Sequence, residues 1–316
     1  MTQPSHPNPR HVPAANAGCA KGDPKTLPAV LLAWAVPHVG RTATVTDASH
    51  PRTSSQVWQL ERDNGTRFYL KVSPSGAAFA RERLAYRTAV PALGHHRAPQ
   101  LIGSHPGELA LLFTAAPGEP VKTVPLSADE QRAVYEQAGA LTAHLHQAGE
   151  ATGDRYEEAV GSFERAAGRA QEDVARAGKL LRPDERDLVL ESADGLLRVG
   201  EVPVCLIHGD NRPRNWLWSR QDSRLALIDF EGYRPAPAVE DLVHLAAGAW
   251  SDALGLRDAF LHGFGRPLTG REEVALRYLA ALDAVSGLIR GQGSDDDFLT
   301  ARARRTLNLL IQEGHP

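Results

Sequence analysis

The spacing of apolar and polar positions divides the chain into two unlike parts. LPAVLLAWAVPHV (27–39) is an apolar run that predicts a short helix. Three strand-like stretches follow, around 41–46, at QVWQLER (56–62) and at RFYLKVS (67–73). Asp63-Asn64-Gly65 joins the last two and is a hairpin signal, because Asn and Gly tolerate the positive φ that such turns demand. The period then changes: AAFARERLAYRTAV (77–90) sets Phe79, Leu84, Ala85, Ala89 and Val90 at helical spacing. Stretches 99–103 and 108–114 read as another strand pair. Together these elements predict a small sheet carrying one helix.

After TAAPGEP (114–120), a Pro/Gly-rich stretch expected to link two lobes, helical period dominates. Ser127 and Glu130 form a capping box. Val134, Ala138, Leu141 and Leu145 then continue one apolar face. Further helices are expected over 156–177 and 184–198. An apolar strand at 202–207 runs into the polar loop HGDNRPRN (208–215), and NWLW with RLALIDF reads as a second hairpin. Trp216 and Trp218 alternate with Leu217 and are expected in the core. Helical period returns from Val239 to the end. Residues 1–24, rich in Pro, Asn, His and Gly, read as a disordered leader.

Composition narrows the function. At 316 residues the chain suits two lobes. A net charge of -3, with no Lys/Arg block, argues against nucleic acid as the partner. No apolar run approaches the roughly 20 residues of a membrane span, and the first residues lack the marks of a secretory signal. Cys19 and Cys205 make no disulfide framework, so a cytoplasmic location is expected. Of 35 basic residues only five are lysine, which singles out Lys71 in its apolar strand.

The candidate chemistry lies where apolar strands end. Asp210, Asn215 and Asp229 would converge at the ends of neighbouring strands, and such oxygen donors suit Mg²⁺. Asp210 is then free to accept a hydroxyl proton while Asn215 and Asp229 hold metal. Taken singly, each has an ordinary reading as a turn, a cap or a solvated strand end. The joint spacing His-x-Asp-x4-Asn, followed by a strand-terminal Ile-Asp-Phe, is much rarer. Lys71 alone could be an edge-strand lysine. Glu82, eleven residues on, offers a carboxylate to aim its ammonium at phosphates.

These residues resemble the aminoglycoside phosphotransferase and choline kinase family, which shares the protein-kinase fold. HGDNRPRN is similar to that family's catalytic loop and IDFE to its metal-binding segment. The resemblance implies an α+β fold of two lobes, a small β-rich nucleotide-binding lobe over 25–116 and a larger helical lobe over 117–316. It implies Asp210 as the base, Asn215 and Asp229 as Mg²⁺ ligands, Lys71 as the α/β-phosphate lysine and Glu82 as its partner. His208 would brace the loop, and Asp241 would be structural. The nucleotide loop HPRTSSQVW (50–58) has no glycine, so Ser54 and Ser55 are its candidate phosphate donors. Backbone groups near Phe113 and Ala115 would read the nucleobase. Arg212 replaces the family's second loop His, where its guanidinium could bind a γ-phosphate or an acidic acceptor or make a surface ion pair, the last being the expectation.

The implied activity is ATP- or GTP- and Mg²⁺-dependent phosphorylation of a hydroxyl on a small molecule. The expected acceptor is an antibiotic, an aminoglycoside or basic peptide, with resistance as the outcome. Choline, a sugar, homoserine or a nucleoside are the metabolite alternatives. Glu231, Asp283 and Asp295 are the candidates to face a cationic acceptor. Two further classes stay open: a nucleotide-binding pseudokinase, and a metal-dependent hydrolase using His208, Asp210 and Asp229 with Glu240 or His244.

Overall fold

The computed structural model describes residues 25–49, 55–149, 151–248, 250, 253, 255–294 and 296–314. The expected leader, Ser54 and Asp295 lie outside them.

Alternation along one strand sorts the first sheet into two faces. The sheet is antiparallel, in the order β1 (Thr44–Asp47), β2 (Gln56–Glu61), β3 (Arg67–Val72), β5 (Ala110–Thr114), β4 (Leu101–His105). Phe68 and Leu70 of β3 share a face with Trp58, Leu60, Ala110 and Leu112, and pack on Leu31, Ala35 and Val39 of α1 (Ala29–Val39). Lys71 and its cross-strand neighbour Leu111 therefore point the other way, towards α2 (Gly76–Thr88). The sheet is thus covered by two helices, where the pattern predicted only one on it. Ser75 caps α2, accepting the Ala78 N–H at 3.2 Å.

The 114–120 stretch does more than link. Its end, β6 (Glu119–Pro120), pairs with β8 (Trp216–Ser219), which in turn pairs with β9 (Arg224–Leu227). The capping box at Ser127 and Glu130 starts α3 (Ala128–Gln147). The single helix expected over 156–177 is two, α4 (Asp154–Val160) and α5 (Ser162–Ala177), broken at Gly161. Glycine is the residue that least resists leaving a helix. α6 (Pro183–Leu196) follows. β7 (Val204–Ile207) pairs with β10 (Arg234–Pro237), a strand the hydrophobic pattern did not show. Pro235 and Pro237 alternate with Arg234 and Ala236, so the missing N–H groups fall on one side of the strand.

The rest is helical, as the period from Val239 onward predicted: α7 (Val243–Ala246), α8 (Leu256–Phe264), α9 (Gly270–Gly293) and α10 (Asp297–Gln312). α3 and α8 run in close contact, because a Cβ on Gly263 would stand 1.8 Å from the Glu136 carbonyl oxygen. One buried core joins the lobes, running from Phe79, Tyr86 and Phe113 to Leu141, Trp216, Leu227 and Phe230. No helix among the described residues is long and apolar enough to cross a membrane.

Candidate active site

The catalytic loop leaves β7 and is fixed by a buried carboxylate. Asp241 accepts the His208 N–H and the Gly209 N–H, each at 2.8 Å, and the His146 Nε2–H, also at 2.8 Å. Burial alone would raise its pKa, but the His146 hydrogen bond and charge, with His208, hold it below its ordinary value. Gly209 has φ +78, and a Cβ there would lie 2.2 Å from the Gly232 carbonyl oxygen. Only glycine lets this loop lie so close to the segment after β9.

His208 does brace the loop. Its Nε2–H donates to the Ile228 carbonyl at 3.1 Å, and its Nδ1 accepts the Asp210 N–H at 3.3 Å. Both ring nitrogens are thereby used, which removes His208 as a metal ligand and with it the hydrolase arrangement. The ring lies 4.7 Å from Phe230, which meets Tyr86 at 5.3 Å, and Tyr86 meets Phe113 at 4.6 Å. This aromatic column ties the loop to the first sheet. Asn211 adds a second anchor, accepting from Trp216 Nε1 and donating to Thr142 Oγ1, both at 2.9 Å.

Asp229 closes β9 with φ 68 and ψ 66, a left-handed conformation that costs a non-glycine residue energy. Its carboxylate lies 2.5 Å from Lys71 Nζ, which also meets Glu82 at 2.8 Å and Glu231 at 3.0 Å. Burial would lower the Lys71 pKa, but three carboxylates outweigh it and raise it above its ordinary value. Burial pushes the Glu82 carboxyl up to about 7 against the pull of Lys71. One ammonium among three carboxylates leaves a negative excess. Glu82, Asp229 and Glu231 form the cluster among the described residues whose ligand atoms all lie within 4.8 Å. Such an all-oxygen set fits a hard divalent cation.

Asn215 faces Asp210: its Nδ2 donates to the Asp210 carbonyl at 2.9 Å and to Oδ2 at 2.6 Å, which leaves its own oxygen for a cation. The Asn215 carbonyl accepts the Ile228 N–H at 3.0 Å, so loop and hairpin are coupled. Asp210 is held on every side. Arg212 pairs with Oδ1, and Arg214 with Oδ2 at 2.8 Å. Burial would raise its pKa, yet the two guanidinium groups keep it below its ordinary value. Arg212 is thus in an ion pair, but a mostly buried one with Asp210 itself rather than one at the surface. Arg214 was not anticipated; a second cation four residues from the Asp is the signal that could have found it.

Other candidates fall elsewhere. Ser55 is buried and donates to Glu231 Oε2 at 2.9 Å, while Arg81 Nε donates to the Glu231 carbonyl at 2.8 Å. Glu231, expected to face the acceptor, therefore belongs to the Lys71 cluster. Lys71 attracts it more strongly than solvent does because the ammonium is itself buried. Phe113 lies in β5 opposite Tyr69, and the Ala115 N–H donates to the Arg67 carbonyl at 3.2 Å, leaving Ala115 only its carbonyl towards a ligand. Asp283 lines a cleft of about 330 Å³ beside the loop, with Gly209, Glu240, His244 and residues of α4 and α5. His244 Nε2 lies 3.8 Å from Asp210 Oδ1, and its Nδ1 lies 3.4 Å from Asp283 Oδ2.

A family model described as "Phosphotransferase enzyme family" matches residues 49–279. The chain belongs to that family. Membership makes it a small-molecule phosphotransferase, a kinase in the broad sense. No curated protein matches it in sequence. Solved structures share the fold at low identity. An aminoglycoside 2'-phosphotransferase-IIIa in its GDP complex is 16% identical, with 90% of this chain and 98% of that one covered and a TM-score of 0.65. A thermostable mutant of an aminoglycoside phosphotransferase, in ternary complex with ADP and hygromycin B, is 14% identical over 90% and 98%, at 0.64. A choline/ethanolamine kinase family protein from Mesorhizobium loti is 16% identical over 86% and 88%, at 0.63. At these identities the likeness establishes the protein-kinase-like α+β fold.

Proposed function

We propose that this phosphotransferase moves the γ-phosphoryl group of ATP or GTP, with Mg²⁺, to a hydroxyl of a small molecule. The observation that carries the reading is the convergence of Lys71, Glu82 and Asp229 from three separate elements on one point. The fold's neighbours include ADP and GDP complexes, which accords with a nucleotide at this site. Lys71, aimed by Glu82, would hold the α- and β-phosphates. Asn215 and Asp229 would hold the Mg²⁺, which supplies charge neutralisation for the transferred group. Asp210 orients the acceptor hydroxyl in line with the γ-phosphorus, a contribution of positioning and fixed charge.

The acceptor would occupy the cleft beside Asp210. Glu158, Asp173, Glu240 and Asp283 line it, with Arg165, Arg169 and Arg234. The four carboxylates outnumber the three guanidinium groups, which accords with a cationic acceptor, and neighbours of this fold are in complex with hygromycin B and kanamycin. An aminoglycoside or basic peptide antibiotic, with resistance as the consequence, is the substrate class we propose. The test is phosphorylation of aminoglycosides, basic peptide antibiotics, nucleosides, choline and homoserine by the wild type and Asp210→Asn. Asp210→Asn should keep nucleotide binding and lose transfer by about 100-fold or more. Near wild-type transfer by that variant, or no acceptor-dependent turnover in the wild type, overturns the reading.

A further inference from the structure

The loop aspartate is a poor destination for a proton. Asp210 Oδ1 is taken by Arg212, and Oδ2 by Arg214 at 2.8 Å and Asn215 at 2.6 Å. With donors on both oxygens, it suits orienting a hydroxyl better than deprotonating one. A second basic group stands at the same place. His244, on α7, is mostly buried, and its Nε2 lies 3.8 Å from Asp210 Oδ1 at the border of the cleft. One oxygen can lie about 2.7–2.8 Å from both atoms, hydrogen-bond distance to each.

Behind His244 stands a carboxylate. Its Nδ1 is buried and faces Asp283 Oδ2, from α9, at 3.4 Å. Asp283 is kept ionised: burial would raise its pKa, but His244, Arg302 and Arg290 overcome this and hold it far below its ordinary value. Arg302 lies 3.4 Å from Asp283, and Arg290 lies 3.5 Å from it. His244 therefore stands between two carboxylates, Asp210 and Asp283, and Asp283 is itself held by two guanidinium groups. A carboxylate behind an imidazole orients the ring and stabilises the imidazolium that forms.

We propose that His244, backed by Asp283, takes the proton of the acceptor hydroxyl that Asp210 orients. The inference rests on the phosphotransferase reading above and goes beyond it. The acceptor oxygen bonds to the γ-phosphorus as its O–H bond breaks, and the proton passes to Nε2 of His244. The bond from that phosphorus to the bridging oxygen breaks, and its electron pair leaves on the nucleoside diphosphate. The proton then lies on Nε2, with Asp283 facing Nδ1 of the same ring.

The test uses the whole protein and hydrolysis of MgATP, in which water takes the acceptor's place. His244→Ala should bind MgATP as the wild type does and hydrolyse it about 100-fold more slowly. Added imidazole, entering through the open cleft, should restore part of the rate. His244→Gln fills the space without a basic nitrogen and should stay slow. Wild-type hydrolysis by His244→Ala overturns the proposal. So does full recovery in His244→Gln, or a slow His244→Ala that imidazole does not help, since each marks a structural role. A wild type that binds no MgATP overturns instead the phosphotransferase reading on which the proposal rests.

Discussion

Replacing Asp241 by alanine should loosen the catalytic loop and destabilise the protein together. The side chain is fully buried and accepts three hydrogen bonds of 2.8 Å, from the His208 and Gly209 amides and from His146. Alanine leaves both amides and the imidazole without that acceptor, in a place that water does not reach. Orphaned buried donors cost about 1–3 kcal/mol each, so the expected loss is about 3–5 kcal/mol. For a chain of this size that lowers Tm by about 6–10 °C. The pH dependence follows from the depressed pKa of Asp241. Its contribution is fully present above the carboxyl's unfolded value of 3.8 and is lost as pH falls through the lower folded value. The gap between wild type and variant is therefore constant near neutrality and narrows in acid. Urea unfolding followed by tryptophan fluorescence reads it, because Trp216 and Trp218 are buried beside the loop. A loss below about 1 kcal/mol at pH 7, or a gap that widens in acid, refutes the reasoning.

Two further outcomes follow from the site. Asp229→Asn should raise the Mg²⁺ concentration needed for half-maximal rate by at least about tenfold, since removing even an outer partner of a metal costs that much; an unchanged Mg²⁺ titration counts against its role. Gly209→Ala must adopt φ +78 and place a Cβ 2.2 Å from the Gly232 carbonyl oxygen. It should lose more than about 2 kcal/mol of stability and most of its turnover, and an unfolding midpoint equal to the wild type's would contradict this.

Much of the fold was legible because period reports which side of an element is apolar. The alternation in RFYLKVS put Lys71 opposite Leu70, and the helical spacing of 77–90 supplied a carboxylate on the next element. The apolar strand before HGDNRPRN and the ending IDFE marked two strand exits, and the family match over 49–279 agrees with the resemblance these motifs carry. Period fails where the backbone itself departs from the regular case. The proline-bearing β10 has no apolar alternation to read, and the break at Gly161 is a single residue inside an otherwise continuous helical pattern.

Charges were the harder part. A sequence lists which side chains can ionise, and their spacing can place one on a helix or a loop. Coulomb attraction then acts between groups brought together from far apart in the chain, and only burial decides how strong it is. So Glu231 followed Lys71, 160 positions before it, rather than the cleft. Arg212 and Arg214 closed on Asp210, and His244 came to stand between Asp210 and Asp283. The residue types and strand ends were set by the sequence alone. Which carboxylate meets the lysine, and which is backed by an imidazole, was decided by the packing of α2, α7 and α9 around the loop.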